Sequence, residues 1–201
     1  MLRPVPRAVQ TAALFLFAAL ASLAPGAAHA SLIGRTVGVS LTDGGALSYA
    51  DSVVVVDPGP ELTPGDGSQI GGVLLPTESV DVRSDRIVLS IEEGAPGGGT
   101  GYPAGTHYTF SNLVFFDVFT QIVGVQVTST NLSNLGSVTF TQSSVTVPLA
   151  TLLVGEIPGV NVGSLTIVLQ TVVIPEPGTA ALFAAGVVAV ALTRRRVALG
   201  R

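Results

Sequence analysis

Alternation with a period of two is the feature that most restricts what this chain can become. Val37, Val39 and Leu41 alternate with Thr36, Gly38 and Ser40. Val123, Val125 and Val127 alternate with Gly124, Gln126 and Thr128, and Leu165, Ile167 and Leu169 repeat the pattern. Successive side chains of an extended strand point to opposite faces, so this spacing makes half-buried strands. No stretch of residues 31–174 carries an apolar stripe at helical spacing. Tyr108, Phe110, Val114 and Phe116 are expected to share one face, with Asn112 interrupting. Val138, Phe140, Val145 and Val147 should continue the pattern around Gln142-Ser143.

The punctuation agrees with strands. Asp43-Gly44-Gly45 predicts a turn, and Ser84-Asp85 predicts a hairpin joining residues 80–83 to 86–91. Residues 57–72, rich in Pro, Gly and acids, read as a long loop ended by Val73-Leu74-Leu75. Residues 94–106 read as a connection, because neither the lysine nor the helix start of a phosphate-cradling loop comes after them. About eight to ten short strands with Gly/Pro turns predict an all-β, antiparallel β-sandwich, with immunoglobulin-like and jelly-roll topologies both open.

Both ends differ from this body. Arg3 and Arg7 precede an apolar stretch over residues 11–23, and Pro25-Gly26 break it. Ala28 and Ala30 then supply the small residues a signal peptidase reads, which makes residues 1–30 a signal peptide and Ser31 the expected new N-terminus. The body spans 31–174, and 175–201 form a tail. There Pro175-Glu176-Pro177 stops any helix or ladder. Next comes an uncharged run over residues 179–193, about 22 Å as a helix and short for a bilayer core of about 30 Å. Arg194, Arg195 and Arg196 close it and hold that end in the cytoplasm. The expectation is a signal helix in front and a marginal transmembrane helix behind.

The order of Pro175, Glu176, Pro177, Gly178-Thr179, the apolar run and the Arg194, Arg195 and Arg196 cluster resembles the PEP-CTERM sorting domain. The resemblance covers about 25 residues at the end of the chain, a length suited to an anchor. It implies processing by an exosortase after a transient stay in the inner membrane of a Gram-negative bacterium. It also implies delivery to the cell surface or extracellular matrix, beside exopolysaccharide. No catalytic residue is implied, since the tail is a substrate.

Composition narrows the body's chemistry. With no cysteine, a disulfide framework, a thiol nucleophile and thiolate metal sites are all excluded. Lysine is absent too, and only Arg35, Arg83 and Arg86 face twelve carboxylates in the body, a net charge of −9 where the whole chain has −4. Such a surface repels phosphate backbones, so nucleic acid is not an expected partner.

His107 is the body's only histidine, and no His-Glu-x-x-His or Gly-x-Ser-x-Gly occurs. Glu92-Glu93 are adjacent and in a strand would point apart, unlike the convergent pair of a glycosidase. Without Trp, and with only Tyr49, Tyr102 and Tyr108, sugar-stacking surfaces are scarce. Asp57, Glu61 and Asp66 share one Pro/Gly-rich loop and are the candidate ligands for Ca²⁺, which prefers hard oxygens. Asn131-Leu132-Ser133 matches a glycosylation sequon, a signal without meaning in most bacteria. The body is therefore expected to be non-catalytic, no cofactor being required, and to serve a structural or adhesive role in exopolysaccharide or biofilm. The alternatives are a carbohydrate-binding module, marked by a Tyr-lined groove, and a surface hydrolase, marked by a Ser or carboxylate hydrogen-bonded to His107.

Overall fold

The strands alternate buried and exposed side chains as the sequence does, and they assemble into antiparallel sheets. A computed structural model describes residues 30–44, 46–95, 99–116, 119–155, 157, 159–174, 182, 186 and 187. Eleven strands lie among them: β1 (Thr36–Asp43), β2 (Ala46–Val54), β3 (Ser79–Val82), β4 (Arg86–Glu92), β5 (His107–Ser111) and β6 (Thr120–Thr130), then β7 (Leu132–Ser133), β8 (Thr139–Phe140), β9 (Val145–Pro148), β10 (Leu153–Val154) and β11 (Val162–Val173). One sheet has the order β2-β1-β5-β9-β8 and another β3-β4-β11-β6, while β10 and β7 form a two-stranded ribbon. Every pairing is antiparallel.

The inner faces of the two large sheets supply one core. Val37, Val39, Phe110, Val145 and Val147 come from the first, and Ile87, Leu89, Leu165 and Ile167 from the second, each no more than 1% exposed. This is the layered arrangement expected of a β-sandwich. Burying one such Val, Leu, Ile or Phe contributes about 1.5–3 kcal/mol, so the alternating faces are what drive the sheets together.

Two stretches depart from simple alternation, each for a local reason. Asn112 has φ of 57°, a left-handed residue directly after β5. Its side-chain Nδ2 donates to the Thr36 carbonyl at 2.7 Å. One such residue shifts the parity of the next few side chains. Leu113 and Phe115 enter the core at 1% and 0% exposure, while Val114 and Phe116, expected inside, face outward. In β6 the register against β11 slips so that Gly124 and Ile122 pair with the consecutive residues Gln170 and Thr171. The bulge leaves Val123 unpaired and exposed, with Ile122 buried and Val125 and Val127 half-buried. Phe140, on the short edge strand β8, is also more exposed than its spacing implied.

The expected signal and transmembrane helices lie outside the described residues, apart from Leu182, Gly186 and Val187, which are helical. Among the described residues no helix is long and apolar enough to cross a membrane.

Candidate functional site

The tail is mounted on the best-supported strand of its sheet. β11 is flanked by β4 over Val162–Val168 on one side and by β6 over Ser164–Val173 on the other. Pairing with β6 runs to Val173 opposite Thr120, and the Ile174 amide still donates to the Phe119 carbonyl at 2.7 Å. The next residue is Pro175, which has no amide hydrogen to extend the ladder. The tail thus leaves the sheet without a spacer, and a pull on it is met first by the backbone hydrogen bonds to β6 and, from Val168 inward, by those to β4 as well. Pro175, Glu176, Pro177, Arg194, Arg195 and Arg196 themselves lie outside the described residues.

The front junction sits beside the rear one. Ala28 lies outside the described residues. Ala30 packs partly buried against the core, and the Ser31 carbonyl accepts the Phe116 amide at 2.9 Å. The Ser31 hydroxyl accepts the Ile33 amide at 3.2 Å. Residues 30–36 and 174 therefore meet the same segment, the connection between β5 and β6.

The acidic loop uses its carboxylates internally. Asp66 accepts the amides of Thr63 and Ser68, each at 2.8 Å, and Ser68 with these amides holds its carboxyl below the ordinary range. Glu61 accepts the amides of Val56 at 3.0 Å and Val82 at 2.6 Å, stapling the loop to β3. Burial nonetheless pushes the Glu61 carboxyl up. Asp51 on β2 takes the amides of Gln69 and Ile70 at 3.1 and 2.7 Å. Asp57 acts on Arg83 through its charge. Among the described residues no group of three or more acidic or histidine side chains stands close enough to hold a metal ion. Of the candidate Ca²⁺ ligands Asp57, Glu61 and Asp66, the last two direct their oxygens at backbone amides of the loop and of its flanking strands.

His107 Nδ1 lies 2.8 Å from the Gly105 carbonyl, an acceptor only, so this nitrogen carries the proton. Among the described residues no serine or carboxylate is hydrogen-bonded to the ring. It lines an open cleft of about 340 Å³ with Thr106, Ser137, Thr146, Pro148 and Thr151.

One polar cluster had no clear signature in the sequence. Glu78, 2% exposed, accepts the Tyr102 hydroxyl on both carboxylate oxygens, at 3.1 and 3.0 Å, and the Leu75 amide at 3.0 Å. Burial raises its pKa above the ordinary 4.5, against these hydrogen bonds. Glu92 pairs with this cluster rather than with Glu93, its amide reaching Glu78 at 3.4 Å and its carboxylate holding the Thr77 amide and hydroxyl at 2.9 and 2.8 Å. The buried Tyr108 hydroxyl interacts with that of Tyr102 without reaching full hydrogen-bond geometry. Burial pushes both phenols above their ordinary value. Glu78 and Tyr102 flank a cleft of about 190 Å³ with Val73, Leu75, Thr100 and two glycines. The cluster can keep a proton and lock the 73–78 turn to β4. Its tyrosines turn toward the core instead of forming an exposed platform. Only a Thr-Glu pair before β3 and a Tyr-Pro step in a glycine-rich connection hinted at it, and neither names its partner.

The Asn131 sequon is closed. Asn131 is 3% exposed, its Nδ2 donates to the carbonyls of Val160 and Val162 at 2.8 and 2.9 Å, and its Oδ1 accepts the Ile157 amide at 2.6 Å.

No curated protein and no solved structure matches the chain. One family matches part of it, described as the PEP-CTERM protein-sorting motif, over residues 173–196. The match starts on the last residue of β11 and contains the three residues of the Pro-Glu-Pro knuckle and the three closing arginines. The chain thus carries a PEP-CTERM protein-sorting motif over residues 173–196, which indicates an exported protein sorted by an exosortase.

Proposed function

We propose that residues 31–174 are a non-catalytic cargo domain, held briefly in the inner membrane by the tail, cut free near Pro175-Glu176-Pro177, and used as a structural or adhesive component of the exopolysaccharide matrix. The observation that carries this reading is the mounting of the sorting motif. It begins on the last residue of a central strand, so cleavage beyond Val173 leaves both hydrogen-bonded ladders and the core intact. An anchor meant to be discarded is best placed where its loss costs the fold nothing.

The adhesive part rests on the sheet edges. β6 is eleven residues long and closes one sheet, and β2, nine residues long, closes the other. Exposed Thr128, Ser129 and Thr130 give the β6 edge a hydroxyl-rich, uncharged surface suited to polymer or to another copy. Carbohydrate binding through a tyrosine platform has less support, since Tyr108 is buried and Tyr49 and Tyr102 pack partly buried against the core.

The test is fractionation of cells making the full chain or a variant with Pro175, Glu176 and Pro177 replaced by alanine. The wild type should accumulate in the matrix fraction and the variant in the membrane. Equal matrix recovery of both would refute the reading.

A further inference from the structure

Both junctions of the domain lie at one end of the two sheets, and that end is apolar on its outside. Ser31 and Ile174 are hydrogen-bonded to Phe116 and Phe119 on the same short connection. Around them Ile33 is 44% exposed, Val56 51%, Val114 37% and Ile174 40%, and Phe116 stands 76% exposed. A phenyl ring so placed buries little apolar area in the fold and costs solubility.

The domain's cations collect at the same end. Arg35 precedes β1, and Arg83 and Arg86 flank the β3–β4 turn, whose Ser84 carbonyl accepts the Leu32 amide at 2.9 Å. Asp81 and Asp85 neutralise Arg83 and Arg86 at 2.7 and 2.8 Å. Arg35 instead lies over the Phe116 ring, 5.0 Å from its centroid, with Nη2 donating to the Phe116 carbonyl at 2.9 Å. An aromatic ring capped by a guanidinium suits the boundary between acyl chains and headgroups, where rings sit at headgroup depth and cations meet phosphate.

Tail length decides what this end can face. Four residues, 175–178, separate Ile174 from the uncharged run that starts at residue 179, and a chain extends at most about 3.6 Å per residue, so those five steps span no more than about 18 Å. The headgroup layer fills about 5–7 Å of that. We propose that, while the tail is inserted, this end of the domain rests on the phospholipid surface, with Phe116 seated among the headgroups and Arg35 beside their phosphates. The proposal rests on the reading of the tail as an anchor. Contact at this face would hold the Pro-Glu-Pro segment at the bilayer surface, and release of the tail would weaken it.

The chain has no tryptophan, which makes the test direct. Phe116→Trp places a fluorophore at this end. Val160→Trp, at a site 41% exposed beyond the far end of β11, places one at the other end, about 40 Å away at roughly 3.4 Å per strand residue. The full-length variants are reconstituted into phosphatidylethanolamine/phosphatidylglycerol vesicles with or without brominated acyl chains, and flotation is recorded in parallel. The expected result is co-flotation of both variants, with blue-shifted emission and about twofold quenching by bromolipid for F116W alone. Flotation with F116W unquenched would overturn the surface contact and leave the anchor standing. Failure to float would overturn both. Equal quenching of F116W and V160W would overturn the assignment to this end.

Discussion

The Tyr102 hydroxyl bridges the two carboxylate oxygens of Glu78, at 3.1 and 3.0 Å, across a separation of 24 residues. The bond fastens the glycine-rich connection after β4 to the turn that starts β3, and it is the main hydrogen bond from another side chain to a carboxylate that is 2% exposed.

Tyr102→Phe should therefore cost more than a lost surface hydroxyl. A hydrogen bond to a charged group contributes about 1.5–3 kcal/mol, and removing the donor leaves the acceptor buried. Urea unfolding should show a loss of this size with an unchanged m-value, whereas a loss below about 0.5 kcal/mol would mean that water replaces the phenol.

Glu78 should also leave a mark on the pH dependence of stability. Its folded pKa is raised above 4.5, chiefly by burial, so the folded state keeps a proton that the unfolded state has released. Its contribution is level below about 4.5, falls as pH rises from there through the folded pKa, and levels off again above it. Glu61, raised in the same direction, persists in a Glu78→Gln variant, so the difference between the two proteins isolates Glu78. Chemical denaturation at stepped pH should show the wild type losing ground to E78Q as pH rises through this window. Parallel curves would contradict the assignment.

Asn131 ties the start of β7 to the first residue of β11 and to the connection before it through three hydrogen bonds at one buried amide. Asn131→Ala should cost roughly 3 kcal/mol, from bonds of about 1 kcal/mol each plus unpaired backbone groups. Asn131→Asp should be worse, because it turns a carboxylate oxygen toward the carbonyls of Val160 and Val162. Thermal melting of both variants checks the order; an aspartate variant as stable as wild type would disprove the inward orientation.

Asn112→Ala loses the bond to Thr36 and leaves in the left-handed region a residue without the short polar side chain that lets asparagine adopt it, so both the bond and the conformational preference are lost. Asn112→Gly keeps the backbone conformation and should lose less. Denaturant midpoints for the pair separate the two contributions, and the opposite order would contradict the strain argument.

The strands were legible where neighbours along the chain decide the outcome. Val37, Val39 and Leu41 are buried as their spacing implied, and Ser84-Asp85 does join β3 to β4. The alternation misleads where a single residue changes the phase. Asn112 could be heard as an interruption, but its left-handed φ, which moves Leu113 and Phe115 inward in place of Val114 and Phe116, is not written in the alternation. Val123 was misplaced because a bulge depends on the partner strand as much as on its own residues. The acidic loop was seen as a cluster of oxygens, yet which amides those oxygens meet is settled by packing against β2 and β3. The sorting motif was legible in full because its order of knuckle, apolar run and cations acts through the chain's own linear pattern.

The most direct measurement is the intact mass of the protein recovered from the matrix of cells with and without the exosortase. With the enzyme, the account predicts a species beginning at Ser31 and ending near Pro175-Glu176-Pro177, without the apolar run or Arg194, Arg195 and Arg196. Without it, the tail should remain and the chain should stay in the membrane. Matrix protein that retains residues 178–201 when the exosortase is present would contradict the account.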